Sequence, residues 1–462
     1  MPTTLKSIQL TIALSFIFLV PSGAICQVTT AYESASKNDA SLNRTRGKNM
    51  LDDIKKTLKE YYFDEKFKGI DLETRIKTAK ERVDKLDMNW QIFQEIAEVL
   101  MEFDDSHTFF IPPNRSNRVS YGFSMQMVGP RCFITSVKKG SDAEAKGLKP
   151  GDQILSIGAN PPSRDSLWRI NYLIYSLSPQ ELLQVTVADP EGVQRKVIIK
   201  ASFKSQAERR KEAEARRKKK VEDPFKCHIP NDEVAICKLN TFETEKKYID
   251  RMMAEIGLKR KVILDLRGNG GGFVDTEEYL VGHFFDHDVK VATSLNRKKP
   301  KERVAKTQKG RVVTGDLIVL IDSNSASASE IFARVIQIEK RGRVLGDISA
   351  GAVMTSYMIP MQNDRGVPGY QVFSLYGLSV TVSDLIMGDG NRIEKVGVMP
   401  DQQARPTAWA LRDNLDPVLA YAATQFGVNM TAEQAGKLNF LKAADDQEDS
   451  TTDDPGDGDK DK

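Results

Sequence analysis

Histidine and cysteine are scarce in this chain: its 462 residues hold four of each. The four histidines, His107, His228, His283 and His287, make no recognised metal set. His283 and His287 stand one helical turn apart beside Asp286 and Asp288, yet that pair alone does not read as a zinc site, so neither metal nor cofactor is expected. An excess of one charge is missing too. Lys and Arg number 67 against 64 Asp and Glu, and the net charge of +3 offers no general attraction to nucleic acid or to a membrane surface. The apolar run from Ile8 to Val20 is too short to span a bilayer comfortably. Preceded by Lys6 and followed by Pro21-Ser22-Gly23-Ala24, it has the shape of a secretory signal peptide over residues 1–26, and Ile25 before Cys26 argues against a lipoprotein signal. A soluble exported protein, periplasmic or secreted, is the expectation. Of the other cysteines, Cys132 follows Arg131 in an apolar strand pattern and reads as a buried small hydrophobe. Cys227 and Cys237 flank a turn-like segment between short strands, where a hairpin disulfide can form in an oxidising compartment.

What is present centres on Ile321 to Ala352. Leu317 to Ile321 is short, rich in β-branched residues and bounded by Gly315 and Asp322, the pattern of a buried parallel strand. A polar turn follows, and then Ile331, Phe332, Val335, Ile336 and Ile338 recur at helical spacing. Ser327 therefore falls at a helix N-terminus, where free N–H groups and the positive end of the helix dipole favour developing negative charge. Ser327-Ala-Ser-Glu330 also fits the capping box, and an isolated match of that kind is a structural cap and nothing more.

Along the rest of the chain, helical spacing recurs from about Gly47 to Phe110, in Met50, Leu51, Ile54 and Leu58 and again in Trp90, Phe93, Ile96 and Leu100. Residues 27–118 are read as a helical N-terminal subdomain that ends in Asp105-Ser106-His107-Thr108, a polar turn. Residues 203–222 are strongly basic yet rich in Ala and Glu, a solvated helical linker. Residues 223–430 form the α/β core, and 431–462 an acidic tail expected to be disordered. Within the core, the strand Val262 to Arg267 runs into Gly268-Asn-Gly-Gly-Gly272. Phe273 takes the last glycine position of a G-x-G-x-x-G pattern and no Gly-Lys-Ser/Thr follows, so a nucleotide site is not expected.

These segments carry a resemblance. Residues 119–202 resemble a PDZ domain through Tyr121-Gly-Phe-Ser-Met125, Gly147-Leu-Lys-Pro-Gly-Asp152 and the strand Lys196 to Lys200; such a domain takes a peptide tail as an added strand, its carboxylate held by amides here assigned to Gly122 and Phe123. The SASASE segment, the Asp-Leu-Arg-Gly-Asn-Gly-Gly-Gly loop and Arg392 to Asp401 together resemble the C-terminal processing (tail-specific) peptidases. The resemblance implies a ClpP/crotonase-like α/β core and makes Ser327 the nucleophile. The turn that carries a catalytic lysine in that branch reads Ala350-Gly351-Ala352-Val353 here, without lysine. The related tricorn proteases use a histidine, and the matching positions are His107, beside Ser106, with Glu394 as the acid. The family's oxyanion amides map to Gly270 or Gly271 and to Ala328. The resemblance thus implies a Ser-His serine peptidase that cuts proteins or peptides near carboxyl ends presented by the PDZ domain. Neither nucleic acid nor stable membrane insertion is expected, and an oligomer is compatible with the sequence. The alternative is an inactive, peptidase-like adaptor whose PDZ domain still binds protein tails.

Overall fold

The computed structural model describes residues 37–113, 118–204, 208, 211, 223–363 and 374–440; the expected signal peptide, most of the basic linker and the end of the acidic tail lie outside them. In chain order come α1 (Lys37–Tyr61), α2 (Leu72–Val83), α3 (Asn89–Met101), β1 (Phe109–Ile111), β2 (Arg118–Ser120), β3 (Phe123–Val128), β4 (Arg131–Val137), α4 (Asp142–Ala145), β5 (Gln153–Ile157) and α5 (Leu167–Asn171), which runs on as a π-turn. Next are β6 (Leu182–Ala188), β7 (Gln194–Lys200), β8 (Ser202–Lys204), β9 (Phe225–His228), β10 (Val234–Leu239), α6 (Lys246–Ile256), β11 (Lys261–Asp265), α7 (Val274–Gly282), β12 (Val289–Leu295) and β13 (Lys301–Ala305). The chain closes with β14 (Asp316–Ile321), α8 (Ala328–Ile338), β15 (Arg343–Gly346), β16 (Thr355–Asn363), β17 (Ser374–Met387), β18 (Gln402–Gln403), α9 (Ala408–Arg412), α10 (Pro417–Gln425) and α11 (Ala432–Lys437). This is a mixed α/β fold.

Six strands in the order β18-β15-β14-β11-β10-β9 make the central sheet, parallel except for β9. Alternate residues feed opposite faces. Leu264, Val319 and Ile321 join one apolar cluster with Phe332 and Ile336 of α8, while Ile263, Ile318 and Leu320 join another with Leu419 and Ala423 of α10. Burial on both faces is why these strands read as unbroken apolar runs. Cys227 and Cys237 sit directly opposite each other on β9 and β10 and form a disulfide.

The helical stripe of α1 is buried against Ile92, Ile96 and Leu100 of α3, as its spacing requires. That core is not closed by helices alone: Tyr376, Leu378 and Val380 of β17 complete it. Residues 431–440, grouped with the tail on sequence, instead fold as a capped helix, with Thr431 accepting from the Gln434 N–H at 3.1 Å and Ala435 and Phe440 buried. In the five-stranded sheet β3-β4-β5-β6-β7, β3 is an edge, and β2 pairs with β8 where the chain enters and leaves this unit. Among the described residues, no helix is long and apolar enough to cross a membrane.

Candidate active site

Parallel register positions the site. Asp265 of β11 lies beside Leu320 of β14, and Ile321 beside Gly346 of β15, so the three strands end level and their following loops leave one edge of the sheet together. Asp322 joins two of these loops by accepting the Gly268 N–H at 2.8 Å and the Asn324 N–H at 3.0 Å. Asn269, fully buried, joins them again: its carbonyl accepts the Ala326 N–H at 3.0 Å and the Ser329 hydroxyl at 2.9 Å.

The three serines of SASAS meet different fates. The Ser325 hydroxyl donates to the Leu266 carbonyl at 2.9 Å, the Ser329 hydroxyl is spent on Asn269, and both side chains are buried. Ser327 is half-buried, and its hydroxyl is not tied down as the helix cap. The Glu330 N–H bonds instead to the Ser327 carbonyl at 2.9 Å. Ser327 also has φ 53° and ψ −118°, a conformation that strains a residue with a side chain by roughly 1–3 kcal/mol. The surroundings hold it there: its N–H lies 2.8 Å from the Ala352 carbonyl and 3.0 Å from a Glu330 carboxylate oxygen.

Gly271, at φ +104°, abuts the serine so closely that a Cβ there would lie 2.7 Å from the Ser327 Cβ, which only glycine allows. Its N–H already donates to the Asn269 side chain at 2.9 Å. Of the two glycine amides expected for an oxyanion hole, the Gly270 N–H is therefore the one left over, on an exposed residue. Among the described residues, neither it nor the Ala328 N–H at the start of α8 has an acceptor.

His107 arrives from the other end of the chain. Buried Asp105 fixes its turn, accepting from the His107 N–H at 3.0 Å, the Thr108 N–H at 2.6 Å, the Thr381 hydroxyl at 2.8 Å and the Tyr62 hydroxyl at 3.0 Å. His107 Nδ1 is 2.6 Å from Ser106 Oγ, and Ser106 donates its hydroxyl to Glu394 Oε2 at 3.0 Å and its N–H to Glu394 Oε1 at 2.9 Å. With the hydroxyl proton directed at Glu394, Ser106 Oγ can only accept from Nδ1–H, which leaves Nε2 as an unprotonated base. Burial pulls the His107 pKa below its ordinary value, against the opposing pull of the Glu394 and Asp105 charges.

Glu394 also accepts the Val353 N–H at 2.9 Å, and the residue before Val353 is Ala352, whose carbonyl holds the Ser327 N–H. One peptide unit thus links Glu394 to Ser327. Ala352, where lysine is missing, is half-buried and gives its N–H to Glu330 at 2.8 Å.

Gly122 and Phe123 are buried at the start of edge strand β3, and the Gly122 N–H lies 3.3 Å from Ser120 Oγ. The other end of β3 touches the loop that carries Ser327: Gln126 donates to Asp322 at 2.7 Å and Ser323 to the Met127 carbonyl at 2.6 Å. Among the described residues, no group of three or more His, Cys, Asp and Glu is placed to hold a metal; His287 pairs with Asp286 at 2.7 Å and His283 Nδ1 faces the Arg311 carbonyl at 3.2 Å. Sequence reasoning missed Asp105 and Asn269, for which a polar residue inside a polar turn is no signal. It read Glu330 only as half of a cap.

Residues 233–404 match the family described as Peptidase family S41, and residues 112–163 that described as PDZ domain. The chain is 25% identical over 338 residues to the carboxy-terminal processing protease CtpB of Bacillus subtilis (strain 168), covering 70% of this chain and 64% of that one. It is 26% identical over 289 residues to a probable CtpA-like serine protease of Staphylococcus aureus (strain bovine RF122 / ET3-1), covering 61% and 52%. It therefore spans between half and two thirds of the length of these curated relatives. Among solved structures, mature CPAF aligns with a TM-score of 0.61 at 13% identity, covering 86% of this chain and 98% of that one. The photosystem II D1 C-terminal processing protease aligns with a TM-score of 0.51 at 17% identity, covering 84% and 98%. At these identities the structural likeness is one of fold. The sequence matches are thus to a peptidase family model, a PDZ model and curated carboxy-terminal processing and CtpA-like proteases.

Proposed function

We propose that this chain, with its S41 and PDZ matches, is an exported serine peptidase of the Ser-His type that cuts proteins or peptides near their carboxyl ends. The observation that carries the reading is the hydrogen-bonded line from Glu394 through Ser106 to His107, together with the Val353–Ala352 unit that links Glu394 to Ser327. In this reading His107 Nε2 takes the Ser327 hydroxyl proton as the oxygen attacks the scissile carbonyl. The amides of Gly270 and Ala328 receive the oxyanion. The imidazolium then returns its proton to the departing amine, leaving an acyl group on Ser327, and water activated by the same nitrogen releases the acid. Ser106 and Glu394 orient the ring and stabilise its charged form.

The PDZ unit's part is to present the tail. β3 is an edge strand among the described residues, so a peptide added antiparallel with its carboxylate near Gly122 runs towards Val128, and that end of β3 contacts Asp322 and Ser323 beside the nucleophile. The test is labelling of the purified chain with a serine-directed fluorophosphonate, followed by peptide mapping. A single adduct on Ser327, absent from Ser327→Ala, is expected. Failure to label, with no hydrolysis of unstructured protein substrates, would overturn the reading in favour of a tail-binding adaptor.

A further inference from the structure

Glu330 is engaged far beyond the needs of a helix cap. A cap requires only the Ser327 N–H, at 3.0 Å from Oε2. Three more donors come from a loop outside the helix: the Ala352 N–H at 2.8 Å on Oε2, and the Gly351 N–H and the Ser349 hydroxyl, each at 2.6 Å on Oε1. A carboxylate has about four acceptor positions, so all are filled. Ser349 in turn accepts the Val398 N–H at 2.6 Å, and the Lys395 N–H donates to the Gly351 carbonyl at 2.8 Å, so the loop bearing Glu394 is seated on the same segment. The nucleophile and the acid behind the histidine are both referred to one fully buried carboxylate.

We propose that Glu330 is a positioning residue, holding Ser327 in its strained backbone and holding the Ser349–Val353 segment against Glu394, and that only its ionised form does so. The inference rests on the peptidase reading above. A protonated Glu330 offers one acceptor position fewer to its three backbone N–H donors unless its O–H turns on Ser349, and then the Ser349 hydroxyl must stop donating to it, so the arrangement of four donors converging on Glu330 is lost either way.

The ionisation falls in a useful range. Burial raises the carboxyl to about 7, with the hydrogen bonds from Ser349, Ala352, Gly351 and Ser327 pulling the other way. Burial and these hydrogen bonds are the largest causes, and the ionisable groups on the elements around it are held in pairs of their own. Arg334 pairs with Asp389, Arg303 with Glu277 and Glu278, Asp347 with Arg164 and Arg405, Arg392 with Asp384, Lys395 with Asp104, and Glu394 with Ser106.

The experiment is the pH dependence of kcat and KM for the full chain and for Glu330→Gln, with thermal melts of both. For wild type, the acid limb should need two ionisations, one from His107 below 6.5 and one near 7. Folded Glu330→Gln should lose about 10²-fold in kcat with little change in KM, as a misplaced reacting group does, and its acid limb should fall back to a single ionisation below 6.5. A wild-type limb described by one ionisation overturns the inference even where the variant does not fold. So does a folded Glu330→Gln with wild-type kcat and limb, and either result leaves the peptidase reading standing. A wild type with neither turnover nor fluorophosphonate labelling overturns both.

Discussion

Replacing Glu394 by glutamine tests how the histidine is made into a base. The carboxylate accepts three donors, the Ser106 N–H and hydroxyl and the Val353 N–H. An amide offers one oxygen and turns its NH2 on the remaining donors. If that NH2 faces Ser106 Oγ, the hydroxyl reverses and donates to His107 Nδ1, which moves the ring proton to Nε2 and removes the base. The lost charge acts separately. Nδ1 and Oε2 lie no farther apart than about 5.6 Å, the two hydrogen bonds through Ser106 end to end. At an effective dielectric constant of about 20, opposite unit charges at that distance attract by roughly 3 kcal/mol, and forfeiting this in a transition state that contains an imidazolium slows it about 10²-fold. A wrong tautomer in a serine triad loses about 10⁴-fold. Glu394→Gln should therefore reduce kcat by between about 10² and 10⁴, with KM little changed, and should shift the histidine's limb of the pH profile to lower pH. Steady-state hydrolysis of a fluorogenic peptide from about pH 5 to 9 reads all three. A folded Glu394→Gln within threefold of wild type in kcat, with an unmoved limb, would refute the relay.

Other expectations follow from single contacts. His107→Gln should remove most of the rate together with the ionisation below 6.5, and Ala352→Lys should not improve the wild type, because an added ammonium would compete with the histidine or stay charged; near-normal turnover of His107→Gln at its optimum pH would eliminate the Ser-His mechanism. Gly122→Val places a Cβ 2.4 Å from the Ser141 Cβ at φ +74°, so it should weaken cleavage of peptides with free carboxyl ends while sparing amidated ones; equal rates for the two in wild type would remove the tail-reading role. Glu330, raised from 4.5 to about 7, contributes stability that is complete below about pH 4.5 and is lost as pH rises through about 7, on the order of 3 kcal/mol in all. The difference in unfolding free energy between wild type and Glu330→Gln should decline across that window. A flat difference, from denaturant melts at several pH values, would show that the site does not titrate there.

Several features were determined by the sequence alone because their causes are local. Apolar spacing in Met50, Leu51, Ile54 and Leu58 makes a helix with one buried face whatever it packs against. The unbroken run Leu317 to Ile321 makes a strand covered on both sides, and a serine between such a strand and an amphipathic helix must stand at a helix N-terminus. The run Gly268-Asn-Gly-Gly-Gly272 is legible in the same way, as a loop whose backbone can approach another group closely.

Only the tertiary structure decided which of the SASAS hydroxyls is left over, because Ser325 and Ser329 are consumed by carbonyls some 60 residues away, on the loop after β11. It also decided that Gly271's amide is occupied while Gly270's is not, through an asparagine side chain whose orientation no local pattern encodes. The meeting of Ser106 with Glu394, 288 residues apart, depends on β1 pairing with β17 and on loops leaving a parallel sheet at one edge. Glu330 belongs wholly to this second class. In sequence it completes a capping box three residues from its serine, and its other three donors become visible only once β15 lies beside β14 and delivers residues 349–352 to it. Hydrogen bonds of that range are set by the register of strands rather than by the order of residues, and so the chemistry of the carboxylate is a property of the fold.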